Sequence, residues 1–190
     1  MALVRLILAS ASPRRAELLR AAGFDFDTIV ADVDEAVRPD ELPSTYVRRV
    51  AAEKSAYVAS GFTDAIILAA DTAVVVDGEI LGKPRNDADA ARMLRMLAGR
   101  QHEVMTGISL RQGAYELGRV ETTVVFFSAL SEHDVAWYVA SGEGHDKAGG
   151  YGIQGLAARF IPRIDGSYSN VVGLPVAALV ELLRELGGIA

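Results

Sequence analysis

Fold class follows first from Ile66-Ile67-Leu68-Ala69-Ala70-Asp71-Thr72-Ala73-Val74-Val75-Val76, the most apolar stretch of the chain. Its abundance of valine and isoleucine predicts a central, buried β-strand. Asp77-Gly78 follows directly and is typical of a type I′ turn, so a hairpin with Glu79–Leu81 is expected. Asp71 is the charged residue of the stretch, and a carboxylate is costly to bury without a partner. It either satisfies backbone N–H groups at a kink or acts as a base or metal ligand, as buried carboxylates near cations often do.

Helices and strands alternate along the rest of the chain. Apolar periodicity, capping residues and glycine stops predict helices at Pro13–Ala22, Pro43–Ser60, Asp87–Ala98, Ser131–Ala140 and Pro175–Leu186. Further strands are predicted at Val4–Ala9, Phe24–Ala31, His102–Leu110, Val120–Ala129 and Ala157–Ile164. Because hairpins interrupt the alternation, the pattern predicts an α/β fold with a mixed sheet. No repeat or linker marks an internal boundary, so a single domain is expected over residues 1–190.

Composition narrows the classes of function. The chain has 190 residues, no cysteine and a formal net charge of −6. Disulfides and thiolate sites are therefore excluded, and a broad nucleic-acid interface, which needs a basic face, is disfavoured. No apolar run approaches the roughly 20 residues of a membrane span, and the N-terminal residues lack the pattern of a signal peptide. We expect a cytoplasmic enzyme or binding protein with neither a nucleic-acid nor a membrane partner.

A strand, a short loop and the start of a helix are predicted around Ser10. Ser12 suits the N-cap and Pro13 the first helical position. Arg14 and Arg15 then lie in the first turn, where a cation costs about 0.3–1 kcal/mol because the helix N-terminus is already partly positive. The two arginines are either a solvated pair or, beside the Ser10 hydroxyl, part of an anion site.

Two lysines are further candidates for anion binding. Lys54 is in phase with the apolar stripe of its predicted helix, so it points inward; a lysine that only covers apolar surface with its stem is the alternative. Lys83 lies between Gly82 and Pro84 in an extended loop, where it either reaches a phosphate or is a solvated turn residue. Lys147 is a weaker candidate of the same kind.

The segment Gly149–Gly155, called the glycine loop below, contains a literal G-x-G-x-x-G. A dinucleotide site requires this motif to follow a strand and open a helix. Here it lies late in the chain and a strand is predicted after it, so we reject that interpretation. The glycines are better explained by tight turns or a close approach of the backbone to a ligand. The three histidines lack the spacing of zinc ligands, and no zinc site is expected.

Anion-binding and acidic residues thus occur together in one chain. Ser10, Arg14, Arg15, Lys54 and Lys83 supply the first kind, and Glu35 and Asp71 the second. This combination suits phosphoryl transfer to water, in which cations neutralise the phosphates and carboxylates hold Mg²⁺ or Mn²⁺ and activate the nucleophile.

Several ordered motifs together resemble the Maf family of nucleoside triphosphate pyrophosphatases. They are Ala9–Arg15, Ala70-Asp71-Thr72, Gly82-Lys83-Pro84, Asp146–Gly155 and Gly166–Pro175, and the likeness runs almost from end to end. The resemblance implies an ITPase-like mixed sheet with a deep nucleotide-binding cleft, cleavage of nucleoside triphosphates to monophosphate and pyrophosphate with a divalent cation, and a homodimer. One departure is Gly142-Glu143-Gly144-His145, where relatives often have a proline; we attach no change of function to it.

The resemblance also implies roles for individual residues. Asp71 would be the proton acceptor, and Glu35 would hold the metal together with it. The phosphates would be bound by Ser10, Arg15, Lys54 and Lys83.

Arg14, Thr72 and Gln154 match the branch of the family that acts on dTTP and UTP. An amide at Gln154 suits the O4 and N3–H edge of these bases, since it can both donate and accept. The branch that acts on 7-methyl-GTP is the enzymatic alternative. A regulatory nucleotide-binding protein in cell-division arrest is the alternative from another class.

Overall fold

A computed structural model of the chain describes residues 5–187. Its described strands are β1 (Leu6–Leu8), β2 (Asp27–Thr28), β3 (Ile66–Val76), β4 (Glu79–Leu81), β5 (Gln101–Gln112), β6 (Tyr115–Phe126) and β7 (Arg163–Asp165). The helices are α1 (Pro13–Ala21), α2 (Pro43–Ala59), α3 (Asp87–Leu97), α4 (Glu132–Ala140), α5 (Tyr168–Val172) and α6 (Val176–Glu185). Short 3₁₀ helices span Ala148–Gly150 and Leu156–Phe160. In the described range, no helix is both long and apolar enough to cross a bilayer.

The strands form one mixed sheet in the order β2-β1-β3-β5-β6-β7, and β4 pairs with β3. β1 is parallel to β2 and β3, whereas β4 and β7 are antiparallel to their partners. The central strand has the predicted bounds, Ile66–Val76. Its turn also has the expected geometry, since Asp77 and Gly78 have φ of 52° and 80°. The predicted α/β class with a mixed sheet is confirmed.

The observed helices agree with the predicted ones to within about two residues at each end, which is the usual uncertainty of helix boundaries. Three strand predictions were wrong in extent. Val4–Ala9 contributes Leu6–Leu8, and Val120–Ala129 overlaps a strand that starts earlier and ends earlier, Tyr115–Phe126. Phe24–Ala31 contributes only Asp27–Thr28, because the partner strand β1 is itself just three residues long. Val4, the first residue of the predicted strand Val4–Ala9, lies outside the described residues.

The prediction of a strand over Ala157–Ile164 is wrong for its first residues, which are helical. Leu156–Phe160 is a 3₁₀ helix, and β7 begins only at Arg163. Leu, Ala and Arg favour a helical turn here, and a side chain from earlier in the chain supports it: the Glu143 carboxylate accepts hydrogen bonds from the N–H groups of Leu156 and Ala157. A helical turn with its first N–H groups satisfied in this way cannot also pair as a strand. α5 was not predicted either.

The chain divides into two compact units, with boundaries after Asp71, Met105, Glu121 and Val172. In the described part, the first unit comprises residues 5–71, 106–121 and 173–187. α1 and α6 contribute Leu19, Leu179 and Leu182 to a core that includes Leu8 and Leu68 of the sheet. The expectation of one domain over residues 1–190 stays a prediction.

The second unit comprises residues 72–105 and 122–172. Its core contains Met93, Leu94 and Leu97 of α3 together with aromatic residues. Phe127 and Tyr151 are in edge-to-face contact, with ring centroids 4.9 Å apart.

Candidate active site

Asp71 is buried within β3, with 5% of its surface exposed. Its Oδ1 accepts a hydrogen bond of 2.8 Å from Lys54 Nζ. Its Oδ2 is buried and has no hydrogen-bond partner among residues 5–187. Burial raises the pKa of Asp71 above its ordinary value, and the positive charges of Lys54 and Arg15 oppose this rise. The kink interpretation, in which the carboxylate binds backbone N–H groups, therefore finds no support in the described contacts.

Lys54 reaches Asp71 from α2, and its side chain is 9% exposed. The helix starts with Pro43 in its first turn and buries Val47, Val50, Ala51 and Val58 on the same side. It lies very close to β5, since a Cβ added to Gly107 would lie 2.3 Å from the carbonyl oxygen of Val47. Lys54 Nζ also lies 2.9 Å from Glu35 Oε1. The ammonium thus bridges two carboxylates, as an inward lysine can, and does not extend into water.

Glu35 lies in a loop before α2, and the helix holds that loop by its main chain. The Tyr46 hydroxyl donates to the carbonyl oxygen of Glu35 at 3.1 Å. Arg49 donates to the carbonyl oxygen of Ala36 at 2.9 Å and to both carboxylate oxygens of Glu41 at 2.6 and 2.9 Å. The bidentate contact to Arg49 lowers the pKa of Glu41 to about 2. The Glu35 carboxylate is consequently presented toward Lys54 by a loop with several fixed points.

Ser10 and Arg15 form a second group of contacts in the same unit. Ser12 is the N-cap of α1, and its hydroxyl accepts a long bond of 3.5 Å from the N–H of Arg15. The Arg15 guanidinium donates to Ser10 Oγ at 3.3 Å and to the carbonyl oxygen of Gly173 at 2.8 Å. The N–H of Ser12 also donates to Ser10 Oγ, at 3.1 Å. Since Ser10 accepts both bonds, its own hydroxyl proton remains able to donate to an anion.

Arg15 interacts electrostatically with both carboxylates. Removal from water lowers the pKa of Arg15, while Asp71 and Glu35 raise it and neighbouring Arg14 lowers it further. The two formal positive charges of Arg15 and Lys54 equal the two formal negative charges of Asp71 and Glu35. This group of four therefore has no surplus positive charge to offer a polyphosphate, and binding one requires further cations.

No three acidic, histidine or cysteine side chains come together as a metal-ligand group in the described part of the chain. Asp71 and Glu35 nevertheless supply carboxylate oxygens, which are the ligands that Mg²⁺ and Mn²⁺ prefer. Mg²⁺ is usually bound by one or two carboxylates together with substrate phosphates and water. With the unpartnered Oδ2 of Asp71, the pair fits a divalent cation that binds together with a polyphosphate.

The remaining predicted residues belong to the second unit. Thr72 follows Asp71 in β3 and is half-buried, whereas Lys83 and Gln154 are exposed. Lys83 lies in the loop after β4, and the N–H of Gly149 donates to the carbonyl oxygen of Gly82 at 3.0 Å. The Lys83 loop and the glycine loop are therefore joined. Within residues 5–187, the side chains of Lys83 and Gln154 have no ion pair or hydrogen bond in the structure.

Lys147 does not act as a free anion binder. Its ammonium donates to the carbonyl oxygen of Glu143 at 2.5 Å and to Asp146 Oδ1 at 2.6 Å. A Cβ added to Gly152 would lie 2.8 Å from the Lys147 stem, so that side chain lies over the glycine loop. Its contacts are those of a residue that stabilises this loop.

Sequence patterns did not indicate two residues: Tyr46, which holds the Glu35 loop, and Glu143, which binds the segment after the glycine loop. Tyr46 is eight positions before Lys54 and therefore on about the same face of α2, a signal that was available. Its pKa is raised by burial and by the charges of Asp71 and Glu35, so the hydroxyl stays protonated and can donate. Glu143 gave no comparable local signal, because its partners lie up to 14 residues away.

Comparisons with known proteins agree with these features. The sequence profile of the family described as Maf-like protein matches residues 5–186. A dTTP/UTP pyrophosphatase of Syntrophus aciditrophicus is 49% identical over 97% of this chain and 91% of its own length. A dTTP/UTP pyrophosphatase of Anaeromyxobacter dehalogenans is 51% identical over 96% of this chain and 94% of its own.

A solved structure supports the fold. The HAM1 protein of Coxiella burnetii superimposes with a TM-score of 0.52 at 15% sequence identity, and the match covers 98% of this chain and 100% of that one. At this level of identity the likeness concerns the arrangement of helices and strands. The profile match and the half-identical relatives show that this chain belongs to the Maf family.

Proposed function

We propose that the protein is a nucleoside triphosphate pyrophosphatase that converts dTTP and UTP to the monophosphate and pyrophosphate. The substrates come from the names of relatives that share about half of their residues with this chain over nearly the full length of both. The chemistry comes from one structural observation. A buried carboxylate, Asp71, has one oxygen on Lys54 and the other without a hydrogen-bond partner in the described residues.

Asp71 is the proposed proton acceptor. In this reaction a water oxygen bonds to the α-phosphorus, the bond from that phosphorus to the bridging oxygen breaks, and pyrophosphate leaves. The Asp71 carboxylate accepts the proton that the water gives up. Because burial raises the pKa of Asp71, the carboxylate is a stronger base than an exposed aspartate, and the charge of Lys54 opposes this rise.

A divalent cation is the proposed cofactor, Mg²⁺ or Mn²⁺, with Glu35 and Asp71 as its protein ligands. When bound, such a cation supplies positive charge that neutralises the phosphates and the leaving pyrophosphate. Glu35 is suited to this because Tyr46 and Arg49 hold its loop by the main chain and leave the carboxylate exposed on one side.

Four residues are the proposed phosphate ligands. Ser10 and Arg15 offer a hydroxyl and a guanidinium at the start of α1, where the helix N-terminus also favours anions. Lys54 and Lys83 contribute ammonium groups. Arg14, Thr72 and Gln154 are the proposed determinants of the pyrimidine nucleotide. Gln154 has an exposed amide that makes no hydrogen bond in the described range, so it is available to a base edge.

A nucleotide panel tests the proposal. Purified protein with Mg²⁺ or Mn²⁺ is offered dTTP, UTP, CTP, GTP and 7-methyl-GTP, and pyrophosphate and monophosphate are quantified. We expect the highest kcat/KM for dTTP and UTP, and no turnover in the presence of a chelator. Preference for 7-methyl-GTP would assign the other branch. Binding of nucleotides without turnover of any would instead support a regulatory binder. Sedimentation would test the expected homodimer, and cell fractionation the expected cytoplasmic location.

A further inference from the structure

We propose that Glu143 is a positioning residue for base selection, because it fixes the backbone on both sides of Gln154. The inference rests on the proposed function, in which Gln154 contacts the base. Glu143 lies between α4 and the glycine loop, and it is not among the residues proposed to bind the nucleotide or the cation.

The Glu143 carboxylate has polar partners on both oxygens. Oε1 accepts from the Tyr138 hydroxyl at 2.8 Å and from the N–H of Ala157 at 3.3 Å. Oε2 accepts from the N–H of Leu156 at 2.7 Å. The carboxylate therefore caps the 3₁₀ helix that follows the glycine loop, in the way that an acidic side chain caps an α-helix.

Tyr138 extends this support to the other side of Gln154. The N–H of Gly152 donates to the Tyr138 hydroxyl oxygen at 3.2 Å, and that hydroxyl donates to Glu143. Gly152 and Leu156 are each two positions from Gln154. The backbone is thus held before and after Gln154 by one connected pair of side chains, while the Gln154 side chain itself is exposed.

The glycines of the segment show how closely this arrangement is packed. A Cβ added to Gly155 would lie 2.2 Å from Glu143 Oε2, far inside van der Waals contact. The φ of Gly155 is −114°, outside the left-handed region, so at this position a Cβ meets the carboxylate and not a left-handed backbone. A Cβ at Gly144 would lie 2.0 Å from the carbonyl oxygen of Gly150, which brings the Glu143 segment against the glycine loop.

The contacts of Tyr138 and Glu143 fix the backbone conformation around Gln154 in addition to stabilising the second unit. Tyr138 is 1% exposed, and its pKa is raised by burial and by Glu143, so its proton stays in place at neutral pH. A permanently protonated hydroxyl and a carboxylate define one backbone conformation for Ile153–Gly155. Since a displacement of about 1 Å can cost a catalytic contact roughly 100-fold, a fixed conformation matters at the residue that reads the base.

The test compares Glu143→Gln, Gly155→Ala and Gln154→Ala with the wild type. Glu143→Gln replaces one accepting oxygen with an NH₂ group, and Gly155→Ala displaces the carboxylate by steric contact. For both, we expect the preference for UTP over CTP in kcat/KM to fall about 5- to 10-fold, the effect of roughly one lost hydrogen bond to a base. The change should lie in KM for UTP, with kcat at saturation nearly unchanged.

The double variant Glu143→Gln/Gln154→Ala shows whether Glu143 acts through Gln154. We expect it to have the same UTP:CTP ratio as Gln154→Ala alone, because the two changes remove one contact. Additive losses would overturn the proposal, as would an unchanged ratio in both Glu143→Gln and Gly155→Ala. Glu132→Ala is the matched control, since Glu132 is an exposed partner of Arg95 on the same helix as Tyr138.

Failure of the proposed function has a different signature. Wild-type protein would then turn over neither UTP nor CTP, and no ratio could be measured. In that case the loop is tested by hydrogen exchange of its amides. Equal protection at Gly152 and Leu156 in wild type and Glu143→Gln would overturn the positioning role independently of any activity.

Discussion

The Lys54 ammonium lies 2.8 Å from Asp71 Oδ1, and both side chains are less than one-tenth exposed. The same ammonium lies 2.9 Å from the half-exposed carboxylate of Glu35. Burying two charges is costly, and their attraction offsets that cost only when the geometry is good. Such a pair contributes little net stability, yet removing one member leaves an uncompensated charge. We therefore infer that the ion pair of Lys54 and Asp71 serves function more than stability.

Replacing Lys54 with methionine should destabilise the fold by about 3 kcal/mol at pH 8, because Asp71 would be buried without its cation. The pKa of Asp71 should rise further in this variant. A carboxyl whose folded-state pKa is raised contributes most stability at low pH and loses it as pH rises through that pKa. Urea unfolding should consequently show a smaller destabilisation at pH 5 than at pH 8. An equal difference at both values would contradict the prediction; Arg38→Ala, at an exposed ion pair, is the control.

Asp71→Asn should lower kcat about 10³-fold, the usual contribution of a positioned general base, while nucleotide affinity changes only slightly. The amide keeps the shape of the side chain but cannot accept a proton from water. Single-turnover kinetics measure the rate of the chemical step, and equilibrium binding of dTTP measures the nucleotide affinity. Asp64→Asn, at an exposed site, serves as control. Activity within a few-fold of wild type would exclude Asp71 as the base.

The raised pKa of Asp71 also predicts the acidic limb of the pH profile. The base must be ionised, so kcat/KM falls as pH decreases through the folded-state pKa. Because burial moves that pKa upward, the limb should lie above the value of about 3.9 for an exposed aspartate. A steady-state profile from pH 4 to 9 measures it. A kcat/KM that stays constant down to pH 4 would show that ionisation of Asp71 does not limit the rate.

Tyr46→Phe should weaken metal activation several-fold, since the phenol no longer holds the carbonyl oxygen of Glu35. The loss of one hydrogen bond should cost about 1 kcal/mol of stability. Titration of activity with Mn²⁺ gives the activation constant, and urea unfolding gives the stability. Tyr57→Phe is a matched control on the exposed side of the same helix. If both variants respond alike to Mn²⁺, Tyr46 does not position Glu35.

Because His102 is buried, the free energy of unfolding should decrease in acid. It is 3% exposed, its Nε2 lies 2.6 Å from the Tyr151 hydroxyl, and burial lowers its pKa to about 4. The unfolded chain, with a histidine pKa of about 6.5, binds more protons between these values, so stability is present above pH 6.5 and lost as pH falls toward 4. The full contribution is about 3 kcal/mol. His102→Asn should lose less stability than wild type between pH 7 and 4.5 in urea unfolding; a parallel loss would contradict this assignment.

The local sequence pattern was sufficient to predict much of the secondary structure of this protein. The run of Val and Ile at Ile66–Val76 specifies a strand wherever the chain places it, and Asp77-Gly78 specifies the turn, because both depend on steric preferences of adjacent residues. Likewise, helical periodicity alone directed Lys54 inward, and ordered motifs indicated the family. The roles of the predicted site residues stay predictions.

Long-range contacts determined the rest. Periodicity could direct Lys54 toward the interior, but its position between Glu35 and Asp71 depends on three segments that meet only after folding. Leu156–Phe160 overlaps the predicted strand Ala157–Ile164 but forms a 3₁₀ helix, and the carboxylate of Glu143 satisfies its first N–H groups. The role of Tyr46 depends on a hydrogen bond from its hydroxyl to the carbonyl oxygen of Glu35, which forms only in the folded chain. In each case the free energy lies in a hydrogen bond or ion pair between residues far apart along the chain, which no local pattern encodes.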